Sequence, residues 1–140
     1  MPKTQPKDYE IFKEECEYWL DKFNLRTYDV AYTHSNAAGN VDCCAYCKVD
    51  NEGCSAILGL SKTWDGFLPL EYQVRKFAFH EVLELLFAQA EDIMQSRYVT
   101  KESIENVKHI FIQRLINAFF PNELDSRNIK LDKFESPIET

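Results

Sequence analysis

What this chain lacks narrows its class before any motif is considered. No stretch approaches the roughly 18 apolar residues needed to span a bilayer, so no membrane partner is expected. There is no basic excess: the formal net charge is -7, and Lys and Arg are scattered. Phosphate contacts need those residues clustered, so nucleic acid is not expected as a partner. An even set of cysteines is also missing. The five present suit a reducing compartment better than a disulfide framework. The opening Met-Pro-Lys-Thr-Gln-Pro-Lys has no apolar run behind it, so no secretory leader is expected and the expected compartment is the cytoplasm. Repeats and low-complexity tracts are absent.

What is present suits one globular domain. Its 140 residues are too few for two ordinary domains, and 45% hydrophobic with 28% charged residues is not the balance of a disordered chain. Ten Phe, seven Tyr and two Trp supply core volume without disulfides.

Residues 1–7 read as a flexible N-terminal tail and 8–121 as the domain. From Asp8, the residues Tyr9, Phe12, Cys16, Trp19, Leu20 and Phe23 recur at helical spacing, and Asn24 is a plausible stop. Residues 28–34 are rich in β-formers and read as a strand, followed by a turn over 35–40. Two more strands are expected at about 41–49 and 54–61, joined by Asp50-Asn-Glu-Gly53, with Gly53 able to take positive φ. This predicts a three-stranded antiparallel meander. Residues 62–70 form a crossing loop, in which Trp64 and Phe67 either anchor the loop or line a substrate cleft. A long, largely buried helix is predicted over 71–95, its apolar residues (Val74 to Ile93) covering much of the circumference. Thr100 caps a further helix, with Glu102 favouring its dipole, and Pro121 is expected to stop it. Residues 122–140 read as a loosely packed C-terminal tail. The fold class is α+β, in the order α-β-β-β-α-α.

The central helix carries His80-Glu81-Val82-Leu83-Glu84. Positions i and i+4 share a helix face, so His80 and Glu84 can reach one metal ion. Glu81 projects about 100° away, able to contact a bound water without ligating the metal. The arrangement resembles the H-E-x-x-H helix of zinc peptidases, whose intervening Glu is a general base, with Glu84 in place of the second histidine. Five such residues also fit a histidine near a core beside two solvated carboxylates. Ionisable groups interrupting an apolar helix are costly unless paired or bound to a metal, which favours the site.

The run from about Phe12 to Phe120 resembles the small metallopeptidase-like proteins often encoded by bacteriophages. The resemblance lies in Phe12-Lys-Glu-Glu-Cys-x-Tyr-Trp-Leu-Asp-Lys-Phe-Asn-Leu25, in the hairpin, in Phe77-Ala-Phe-His-Glu-Val-Leu-Glu-Leu-Leu86, and in His109-x-x-Ile-x-Arg-Leu115-x-Asn117. It implies a minimal zincin-like core, a host bacterial cytoplasm, and a last helix that supplies the third ligand. His109 is that residue, beside Ile112 and Ile116 on one side of its helix, with Ile104, Val107, Phe111, Leu115 and Phe119 opposite. Glu105, one turn earlier, either orients His109 or replaces it.

The expected function is a zinc-dependent hydrolase, a peptidase or peptidase-like remnant acting on a peptide or protein substrate. Zn2+ is held by His80, Glu84 and His109, and Glu81 is the base. Manganese and iron also tolerate such a set. Tyr98 and Arg114 are available as further donors by residue type. The alternative is a non-catalytic binding protein on the same fold, engaging a basic host protein through its acidic surface. A third reading ligates zinc through Cys44 and Cys47. In a strand, Cys43 and Cys47 share a face while Cys44 points away, which opposes it. Cys16 reads as core and His34 as a strand-end residue.

Overall fold

The computed structural model describes residues 2–38, 43–95 and 100–129. Expectations at the start of the 41–49 strand, at Tyr98 and over 130–140 lie outside the described residues, as do the side chains of Ile93, Val107, Phe111 and Arg114. The elements follow the order α1 (Pro6–Lys22), β1 (Asp29–His34), β2 (Ala45–Asp50), β3 (Ser55–Leu60), α2 (Glu71–Gln95) and α3 (Lys101–Ser126). The domain is α+β. No helix among the described residues is long and apolar enough to cross a membrane.

α1 opens on a capping box between Gln5 and Asp8, with Pro6 in the first turn, where a missing N–H costs nothing. Asn24, at φ 55°, turns the chain away after it. Phe12, Cys16, Trp19 and Leu20 are buried as their spacing predicts. Each such large apolar side chain contributes about 1.5–3 kcal/mol. Residues 2–4, expected in a flexible tail, instead lie along the loop before α2. Trp64 N–H donates to the Pro2 carbonyl at 2.9 Å, Thr4 N–H to that of Lys62 at 2.9 Å, and the Thr4 hydroxyl to that of Ser61 at 2.8 Å. His34 ends β1 as expected, hydrogen-bonded to Thr4 and stacked on Tyr9.

The sheet is not the expected meander. Its order is β1-β3-β2, with β1 parallel to β3 and β2 antiparallel to it. β3 takes the centre because it is the most apolar strand: Ala56, Leu58 and Leu60 are all buried. β1 and β2 carry more polar residues and occupy the edges, where backbone groups can meet water. The tight turn joins only β2 to β3. Its left-handed residue is Cys54 (φ 51°) rather than Gly53. Gly53 instead gives room for Asp50, which accepts its N–H and whose carboxylate would lie 2.7 Å from an added Cβ.

α2 lies between α1 and α3 and packs on β2 and β3. Val74, Ala78, Phe79, Val82, Leu83 and Leu85 are buried on it, as its broad apolar circumference predicts. Phe79 packs at a tilt against Trp19, ring centroids 4.3 Å apart, and stacks with Phe120 at 5.2 Å, joining the three helices one residue before His80. In α3, Thr100 caps the first turn by accepting from Ser103 N–H. Pro121 does not stop this helix, which continues to Ser126. An interior proline costs about 3 kcal/mol. Burial of Phe120 and Leu124 on either side of it offsets that cost, together with the ion pair of Arg127 with Glu15. The chain from 122 to 129 is therefore packed on the domain, with Ile129 against the core.

Candidate metal centre

His80 and Glu84 stand one turn apart on α2. His80 Nε2 and Glu84 Oε2 are 3.2 Å apart. His109 comes across from α3, its ring centroid 6.1 Å from that of His80. One ligand atom from each of the three residues lies within 4.8 Å of the others. Zinc bonds of about 2.0–2.2 Å at tetrahedral angles require ligand atoms about 3.4 Å apart. The α2 pair meets that spacing. The third donor is 56% exposed, free to rotate inward, so the residues fit a divalent ion. Among the described residues this is the group of three potential ligands, and no cysteine belongs to it. Cys44 is buried, and burial pushes its thiol up to about 12; Cys54 is exposed at the hairpin. Glu105 lies 3.9 Å from His109 Nε2, close enough to orient the ring through a small adjustment.

Ile112 and Ile116, on the His109 side of α3, are buried, while His109 itself is more than half exposed; Ile104, expected opposite, is buried with them. The buried ridge of α3 runs Ile104, Ile112, Ile116, Phe120 and Leu124, while Ile110 and Phe119 are exposed. These positions differ by multiples of four, and the ridge passes through Lys108, which sequence reasoning left unmentioned. Lys108 is 9% exposed; its ammonium lies 2.9 Å from Glu84 Oε1, pairs with Glu91, and is 3.6 Å from Glu105. The four-residue ridge was the signal that places this lysine against α2.

Two carboxyls three residues apart are driven in opposite directions. Burial pushes Glu81 up to about 7, and the Glu84 charge adds to this, against His80 and Lys108. Burial would raise Glu84 too, but hydrogen bonds from His80 and Lys108 and their charges hold it at about 2. Burial lowers the His80 imidazole, yet the bond to Glu84 and the two glutamate charges leave it raised overall.

Glu81 and His80 form part of the wall of an open cleft of about 260 Å³, facing Cys43, Asp65, Phe67 and Phe77. Trp64 is fully buried and packs edge-on against Phe77, so it anchors the loop, while Phe67 lines the cleft. Asp65, which sequence reasoning passed over, gives that wall a carboxylate. A second recess of about 210 Å³ is lined by Glu84 with Cys47, Glu91, Asp92 and Lys108. Comparison of the chain with protein-family profiles, curated proteins and solved structures finds no match.

Proposed function

We propose that this protein is a zinc-dependent hydrolase of the peptidase type, of the kind the resemblance to phage-encoded metallopeptidase-like proteins implies. The observation that carries the reading is the juxtaposition of a His80–Glu84–His109 donor set with a buried glutamate on the wall of an adjoining cleft. A zinc ion bound there would supply an acidified water and an electrophile for a carbonyl oxygen.

The chain's own residues do the rest. Neutral His80 and His109 and anionic Glu84 would hold the ion. Glu81, next along α2, accepts a proton at its carboxylate; burial sets its affinity for that proton near neutrality, where a general base is most useful. Phe67 and Phe77 offer an apolar wall to an extended peptide, and the cleft is open at the surface.

The test is hydrolysis of an unstructured protein such as casein by zinc-loaded protein, beside Glu81→Gln. The reading expects cleavage that disappears in Glu81→Gln while zinc stays bound. Zinc-loaded wild type that cleaves neither casein nor a randomised peptide library would contradict it and favour the binding-protein alternative.

A further inference from the structure

We infer that Lys108 determines which metal this site accepts, an inference that rests on the metal reading of His80, Glu84 and His109. The two oxygens of Glu84 are used differently. Oε2 faces His80 Nε2 at 3.2 Å, while Oε1 accepts from Lys108 Nζ at 2.9 Å. The same ammonium pairs with Glu91 and approaches Glu105 Oε2 at 3.6 Å. One ammonium thus holds the second oxygen of the ligand, pairs with Glu91 and approaches Glu105.

What it leaves for an ion is one carboxylate oxygen and two imidazole nitrogens. That set suits zinc, which accepts nitrogen donors and four-coordination. Manganese and calcium prefer more ligands, chiefly oxygen, and readily take a carboxylate through both oxygens. The oxygens for such an ion are present in Glu84, Glu91 and Glu105, and the recess beside Glu84 has room for water. Lys108 withholds them. In this account it is a positioning residue, which keeps Glu84 to a single coordinating oxygen and keeps the neighbouring glutamates out of the coordination sphere.

A purely structural ion pair predicts something different. Removing a positive charge strengthens the binding of every dication alike, and loosening the helix pair weakens every dication alike. The ratio of affinities for two dications cancels both effects and isolates coordination. The experiment is therefore a competition of metal-free full-length protein against a chromophoric chelator, with Zn2+ and Mn2+ in separate titrations. Wild type, Lys108→Arg, Lys108→Met and Lys108→Met/Glu91→Gln are compared. The double variant removes both members of one ion pair, which protects folding if the single variant does not fold, and it still frees Glu84 Oε1.

Wild type should prefer zinc, and Lys108→Arg should keep that preference. Lys108→Met should lower the zinc-to-manganese ratio by about tenfold, a change on the order of the affinity effects that outer partners of metal ligands exert. The double variant should move it in the same direction. An unchanged ratio in the folded variants overturns the role of Lys108 and leaves the metal reading standing. Wild type that binds neither ion overturns both.

Discussion

Two clusters of charged side chains involve α2, and they are closed to different degrees. The first centres on Glu15, which is fully buried. Its Oε1 accepts from Arg75 and Arg127, and its Oε2 from Trp19 Nε1 and Arg127. Arg75 also donates from Nε to Glu71 and from Nη2 to Glu14. Both oxygens of the buried carboxylate are doubly engaged, and the cluster ties α1, α2 and the end of α3 together. The second centres on Glu84, where one ammonium serves Glu84, Glu91 and Glu105 beside two imidazoles. Acceptors outnumber donors there, and one recess is lined by Glu84, Glu91 and Lys108 and another by His80 and Glu81. A saturated polar cluster is a structural fastening. An under-supplied one, open to solvent, is where a cation can bind.

The largest effect is expected from breaking the closed cluster. Glu15→Ala removes the buried carboxylate that Arg75 and Arg127 share, leaving Arg75 only the more exposed Glu14 and Glu71, and removing one partner of a buried pair costs about 3–5 kcal/mol. Urea unfolding should show that loss, while zinc uptake by the chains that remain folded should stay near wild type. Loss of metal without loss of stability would reverse the assignment of the two clusters.

In the open cluster, Glu81 and Glu84 should act with opposite signs. The carboxyl of Glu81 is raised in the fold, so its penalty is absent below the unfolded value of 4.5, grows as pH rises, and is complete above about 7. In metal-free protein at pH 8, Glu81→Gln should therefore stabilise, by an amount on the order of 3 kcal/mol. Glu84 is depressed, so its contribution is present above 4.5 and is lost as pH falls toward about 2. Glu84→Gln should destabilise at pH 8, on the order of 3 kcal/mol, with the difference from wild type vanishing in acid. Chemical unfolding at pH 8 and in acid reads both, and effects of the same sign would contradict the electrostatic account.

The smallest stability effect is expected at His109. Its side chain is 56% exposed, so His109→Ala should change stability by no more than about 0.5 kcal/mol. Zinc affinity should nevertheless fall, measured by chelator competition. Unchanged affinity would transfer the third position to Glu105.

What could be read from the sequence follows the range of the forces involved. α2 occupies the predicted 71–95, and Thr100 caps α3, because periodicity and capping act within a few residues. His80 and Glu84 converge because one helical turn joins them. The strand order could not be read the same way. Placing β3 between β1 and β2 depends on which strand gains most from central burial, a comparison across the sheet. Glu15 and Lys108 were missed for a related reason. A charged residue within an amphipathic helix looks like its solvated neighbours until its partners, at positions 75 and 127 for Glu15 and 84 and 91 for Lys108, are brought to it. At Pro121 local preference says stop, but burial of Phe120 and Leu124 carries the helix through.

The most direct test of the metal centre is elemental analysis of purified protein after zinc is supplied and the excess removed, with His80→Ala and Glu81→Gln in parallel. The account predicts about one zinc per chain, the stoichiometry of a single three-residue donor set, lost in His80→Ala and retained in Glu81→Gln. Wild type without zinc, or zinc retained equally in His80→Ala, would contradict it.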